Sequence, residues 1–289
     1  MKRHTGSTGA KQAMALIVCA ILMAGISGLP AGSGNLGRDE GINPAGPQVD
    51  VVIGSTVFSE TILTGDFTST LRNRLAIQID NDPNFSADPP PTFTDPFDPN
   101  AVAFEVKTQS GQEIQDMQIC ETAPKIEQIA VNFLAGVDFA RFRKATTVTG
   151  VNSDPNTHPG LPNYTLTIRT LPPLFLDPVY TLSYTTSAPP NNTATGLNNS
   201  IRADLLAAGF TVTEDSTNFT IRKIGEPIIS VKTSTTDSGI TQLCVSLSPF
   251  DPNIPTLSQV GMFVLVLILT GSAIMMLRRK GSTPQGARK

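Results

Sequence analysis

The sequence predicts an α+β, strand-dominated ectodomain of two related units, with an N-terminal signal peptide and one C-terminal transmembrane helix. Three observations carry this expectation. Short runs of alternating apolar residues, bounded by turn formers, recur through the body. Uncharged apolar runs next to cations stand at both termini. The composition is that of an exported β-protein: among 289 residues only 16% are charged, Trp is absent, and Gly and Pro stand at 23 each, against a usual charged share of about 25%. The net charge is −3, with no basic run outside the termini. Nucleic acid binding needs clustered cations to neutralise phosphates, so that class is excluded.

The N-terminus reads Met1-Lys2-Arg3-His4, then Lys11, then an apolar run from Ala13 to Ile26, then the small residues Ser27, Gly28, Ala31, Gly32 and Ser33. Basic, apolar and small-residue regions in that order form a secretory signal peptide, expected over residues 1–33 with cleavage between Ser27 and Ser33. A retained anchor is the alternative, but the run is short for about 30 Å of hydrocarbon. Cys19 falls inside it and reads as part of the signal.

At the other end, Gly261 to Leu277 carries no charge and is closed by Arg278, Arg279 and Lys280. With Val260 it reaches the length of a membrane helix. Cations favour the cytoplasmic side, so the three basic residues act as a stop-transfer cluster and 281–289 form a cytoplasmic tail. A buried core helix would be amphipathic rather than apolar throughout.

Ile254-Pro255-Thr256-Leu257-Ser258-Gln259-Val260-Gly261 stands just before this helix. Together with the helix and the cations, over 254–280, it resembles the IPTL-type C-terminal sorting signal of Gram-negative surface proteins. The resemblance implies recognition by an exosortase, a membrane transpeptidase that cleaves near Ile254, Pro255, Thr256, Leu257, Ser258 and Gly261 and passes the exported part to the envelope. The Trp of the family pattern is replaced by Val260, which lacks the amphipathic ring suited to the interface.

Between the ends, residues 34–49 read as a flexible Gly/Pro/Asn-rich lead-in. Strands are expected at Ile126–Leu134, Tyr164–Ile168, Val179–Tyr184 and Ile228–Thr233. Asn199–Lys223 reads as a helix then a hairpin. Ser200 is the expected cap, Ile201, Leu205 and Ala208 share one face, Gly209 ends the helix, and Asp215–Asn218 form the turn. A comparable helix is expected within Ser59–Gln78, with Ile62, Phe67, Leu71 and Leu75 as its stripe. A faint repeat aligns Val106-Lys107-Thr108 and Cys120 with Val231-Lys232-Thr233 and Cys244. It divides the body into units 50–150 and 151–250, with a boundary near Gly150–Pro162. Residues 80–100 form a Pro- and Asp-rich insertion, expected as an exposed loop because Pro cannot donate to a ladder.

Once the signal is removed, Cys120 and Cys244 are the remaining cysteines, and an oxidising compartment makes a disulfide between the two halves the natural reading. Two separate buried thiols are the alternative. Asp80, Asp82, Asp88, Asp95 and Asp98 lack the spacing of a calcium loop, and several are ordinary Asp-Pro turn starters. His158 stands alone in a turn-like Thr-His-Pro-Gly stretch, with no nucleophile elbow, phosphate loop or zinc spacing beside it. No catalytic residue, metal or cofactor is therefore expected. The sequence points to a structural or adhesive protein of the cell surface or matrix, held in the inner membrane before processing. A single-span protein with a periplasmic binding domain and a secreted glycan-acting enzyme are the competing readings.

Overall fold

The computed structural model describes residues 32–42, 46–88, 93–109, 114, 116–122, 126–156, 158–171 and 178–249. Most of the signal segment, and all of the sorting motif, apolar run and stop-transfer cluster, lie outside them.

Among the described residues, fourteen strands and two helices follow in the order β1 (Gly32–Asn35), β2 (Gln48–Ile53), β3 (Thr56–Thr61), α1 (Thr68–Asp80), β4 (Phe85–Asp88), β5 (Ala103–Thr108), β6 (Met117–Thr122) and β7 (Gln128–Val137). After the single residue Asp138 come β8 (Phe139–Arg143), β9 (Asn163–Thr170), β10 (Val179–Thr185), α2 (Ala194–Ala207), β11 (Thr211–Glu214), β12 (Asn218–Arg222), β13 (Ile228–Thr235) and β14 (Gln242–Ser248). The chain is strand-dominated, as expected. The strands form two seven-stranded sheets, β10-β9-β13-β7-β1-β5-β4 and β3-β2-β6-β14-β8-β12-β11, antiparallel throughout.

These two orders are one pattern written twice. Replacing each strand by its counterpart in the other half (β1 by β8, β2 by β9, and so on to β7 by β14) turns one list into the other. Each sheet therefore takes the first, fourth, fifth and seventh strands of one half and the second, third and sixth of the other. The registers agree residue by residue. Gly34 lies between Val131 and Phe104, as Phe142 lies between Val245 and Phe219. Val51 lies between Ile119 and Phe58, as Ile168 lies between Val231 and Tyr180. Even the edge-to-face ring pairs match: Phe58 on Phe85 at 6.0 Å, Tyr180 on Phe210 at 5.0 Å.

A repeat is thus present, but it is not the one expected: its boundary and register both differ. The division falls at Asp138, and the halves interleave instead of forming separate units over 50–150 and 151–250. β5 corresponds to β12, so Val106-Lys107-Thr108 does not correspond to Val231-Lys232-Thr233. Cys120 corresponds to Lys232, and Cys244 to Ala130. Alternating Thr-rich strands resemble one another locally, so a short identity match picked the wrong partner.

One hydrophobic core runs between the sheets, with Phe104, Val131, Ile168 and Val231 from the first and Val51, Ile119, Phe142 and Val245 from the second. α1 packs on β3 and β4, and α2 on β10 and β11. Each helix therefore closes one side of the sandwich where the edge strands of the two sheets would leave the core open. In α1, Leu71, Leu75 and Ile79 point inward; in α2, Leu197, Ile201 and Leu205 do. Three local expectations are corrected here. Residues 56–61 alternate and pair as β3, so the first helix starts only at Thr68, and Phe67 at its cap is 53% exposed. α2 begins six residues before Ser200, and the Thr193 side chain caps it by accepting from Gly196 N. Gly209 does end it, at φ +84°.

Two further corrections concern segments read as irregular. Gly32–Asn35 is a fully buried central strand, so the lead-in begins after it, and cleavage as late as Ser33 would remove part of β1. Gly is required there by close approach: a Cβ on Gly34 would stand 2.6 Å from both Phe104 Cζ and Ile119 Cδ1. The 80–100 insertion is not simply exposed. It contains β4, and Asp95 is 2% exposed, accepting from Asn35 Nδ2 at 3.0 Å and Asn132 Nδ2 at 2.9 Å.

Cys120 and Cys244 are Cα partners on β6 and β14, 4.1 Å apart, and are joined by a disulfide. It ties the sixth strand of one half to the seventh of the other.

Candidate functional site

The strand connections sort into two ends. Gly32 and Ser248 lie at one end with the Asp138 turn. At the opposite end four loops converge: β1–β2, β6–β7, β8–β9 and β13–β14. They are two pairs of counterparts under the duplication. Loops gathered at one end of a sandwich are a usual place for recognition.

These loops and the adjoining ends of β7, β9 and β13 line a half-open cleft of about 380 Å³, formed by Arg38, Glu40, Ile126, Glu127, Gln128, His158 and Asn163, with Thr165 and the Ser234–Thr236 stretch. Its centre is the His158 imidazole. Nε2 lies 3.3 Å from Glu40 Oε2 and 3.1 Å from Glu127 Oε2, so carboxylates from two different loops meet one nitrogen from a third. Ser153 Oγ donates to Glu127 Oε1 at 2.8 Å. Burial pushes the Glu127 carboxyl above its ordinary range; Ser153 and His158 oppose this, while Glu40 and Asp154 add to it. Among the described residues, Glu127 is also the one non-glycine with positive φ, at +61°. Such strain persists only where the surroundings hold it.

The loops are held by buried polar anchors. Asp237, 1% exposed, accepts from Thr186 Oγ1 at 2.7 Å, Gly150 N at 2.8 Å, Gly239 N at 2.8 Å and Thr149 N at 3.1 Å. Burial alone would raise its pKa, but these bonds outweigh it and hold the carboxyl below its ordinary range. The β8–β9 loop is thereby pinned to the β13–β14 loop. Ser153 N donates to Thr236 O at 2.7 Å. On the other side Asp39 Oδ1 accepts from Ser69 N at 2.9 Å, satisfying a first-turn donor of α1 from outside the helix. A second, smaller cavity of about 30 Å³ lies beside Asp95, Asn132 and Lys232, room for about one water.

Of the residues singled out from sequence, Cys120 and Cys244 are brought together. Ile254, Pro255, Thr256, Leu257, Ser258, Gly261, Arg278, Arg279 and Lys280 lie outside the described residues. Among the described residues no helix is long and apolar enough to cross a membrane, and no group of three His, Cys, Asp or Glu side chains is placed to hold a metal ion. Nothing in the sequence signals the cleft. His158 stands out there only for its rarity, and its partner Glu40 stands 118 residues away. No sequence spacing signals such a meeting.

Fold and site together define a duplicated, strand-exchanged β-sandwich with a charged cleft at its loop end. No protein-family model, curated protein or solved structure matches the chain.

Proposed function

We propose that the chain is an exported protein of the cell surface or matrix with a structural or adhesive role, delivered by its C-terminal segment as an exosortase-type substrate. The Cys120–Cys244 disulfide carries this reading most directly, since such bonds persist in oxidising compartments. The signal-like N-terminus and the IPTLS-helix-cation order agree with it. The loop cleft lies at the end of the sandwich opposite Ser248.

Mass spectrometry of both ends of the mature protein tests delivery. A chain in the cell-envelope fraction that lacks 261–289 is the expected result. Peptides from 261–289 in surface-released protein would overturn sorting, and an intact C-terminus in the inner membrane would select the single-span alternative.

A glycan-acting enzyme is the second reading, favoured by one observation: a carboxyl with raised pKa, Glu127, beside a second carboxylate, Glu40. Glycoside hydrolysis uses such a pair. Release of reducing ends from an oligosaccharide, lost in Glu127→Gln, would establish it.

A further inference from the structure

We propose that the loop cleft is a binding site for an amino sugar, with the His158 imidazole occupying the place that the ligand's ammonium group takes. This deepens the adhesive reading above and rests on it. Three observations argue for it. First, the cleft volume of about 380 Å³ falls in the range of small-molecule sites, ~300–1,000 Å³. Second, its lining mixes apolar surface, including Ile126, with hydrogen-bonding groups: the hydroxyls of Thr165 and Ser234 and the amides of Gln128 and Asn163 offer both donors and acceptors, which suits a sugar ring with its hydroxyls and its C–H faces. Third, Glu40 and Glu127 converge on one nitrogen, at 3.3 and 3.1 Å. That is where charge-assisted bonds to a cationic nitrogen form.

His158 is a built-in competitor for this position. It sits on the β8–β9 loop next to Pro159 and Gly160, the latter at φ +138°. Asn152 Nδ2 holds that stretch through the carbonyls of His158 and Gly160, so the backbone is anchored while the imidazole can rotate away from the two carboxylates. Arg38, on the rim, sets a limit on the ligand: a second ammonium beside it would be repelled, so one cationic position fits the cleft best.

The test is calorimetric titration of the full mature chain with glucosamine, which carries one ammonium group, and with N-acetylglucosamine, its neutral counterpart. The amine form is expected to bind and the neutral form to bind about tenfold more weakly, since an ammonium meeting two carboxylates, one of them mostly buried, is worth about that much. Glu40→Gln and Glu127→Gln should each weaken the amine form by about tenfold or more, and His158→Ala should tighten it by removing the competitor. Melting curves of the variants separate lost binding from lost folding; if Glu127→Gln unfolds, the half-exposed Glu40 and the gain from His158→Ala still decide. Equal affinity for the two saccharides, no binding of either, or unchanged affinity in His158→Ala and Glu40→Gln would overturn the proposal. Localisation of the chain to the envelope is read separately by mass spectrometry, so failure here leaves the surface reading standing.

Discussion

The two halves fill the same topological slots with different side chains. The first strand of one half is Gly32-Ser33-Gly34-Asn35; that of the other is Phe139-Ala140-Arg141-Phe142-Arg143. Gly34 is overlaid by Phe104 and Ile119, whereas Phe142 packs its own ring on Phe219 at 5.3 Å. Two solutions to one space thus coexist: a bare backbone under neighbouring rings, and a ring beside a ring. The sixth and seventh strands diverge too. Where one interface pairs Cys120 with Cys244, its counterpart pairs Lys232 with Ala130. The fourth-to-fifth connection is long in one half and a tight turn in the other. Yet each holds an Asp that caps a turn: Asp95 Oδ1 accepts from Phe97 N and Asp98 N, and Asp215 Oδ1 from Thr217 N and Asn218 N. Duplication fixes the backbone hydrogen-bond scheme and leaves the filling free.

The largest expected effect comes from erasing the covalent difference between the halves. Cys120→Ser with Cys244→Ser opens a cross-link spanning 124 residues and should cost about 2–5 kcal/mol, read as a lower denaturant midpoint. The converse change, Lys232→Cys with Ala130→Cys, places a pair at the equivalent register. A second disulfide should form and raise stability by about 2–4 kcal/mol; free thiols in that variant would show that the two interfaces are not geometrically equivalent.

Next in size is the packing difference. Gly34→Ala forces Phe104 and Ile119 to move and should destabilise by about 1–3 kcal/mol, while Phe142→Leu at the counterpart position should cost a similar amount for the opposite reason, a cavity. If Gly34→Ala is neutral by thermal unfolding, the close approach is not what demands glycine there.

The smallest effects are those of pH at the loop end. The lowered pKa of Asp237 contributes stability that is present above the ordinary carboxylate range and lost as pH falls through the lowered value. Glu127 has the opposite sign. Its raised pKa gives a contribution that is full below the ordinary range and lost as pH rises through the raised value. Asp237→Asn should therefore flatten the acid limb of stability against pH, and Glu127→Gln should remove a decline on the neutral side. Unaltered profiles would show that neither carboxyl is coupled to folding.

Much of the architecture was legible where local pattern decides. β9 and β10 alternate cleanly, β13 does so in its second half, and the α2–Gly209–hairpin stretch has its stop signal and turn residues in order. β1 was not legible, because Gly-Ser-Gly-Asn has no strand propensity of its own and is a strand only through its pairing with β5 and β7. The duplication was visible as a hint and misregistered, since Thr-rich alternation matches at several offsets. Cys120 and Cys244 were legible as a pair from compartment alone. Glu40, Glu127 and His158 were not, because they share no element and meet only when loops from both halves are folded.

Strand exchange also sets a timetable. β14, the last of the described strands, occupies the middle of its sheet between β6 and β8, while β1, the first of them, lies in the interior of the other between β7 and β5. The first sheet lacks β13 from its interior until residues 228–235 have emerged, and the second lacks β14 until 242–248 have. A chain threaded through a membrane from its N-terminus would thus cross as an open polymer and consolidate only after nearly all of its length had been delivered.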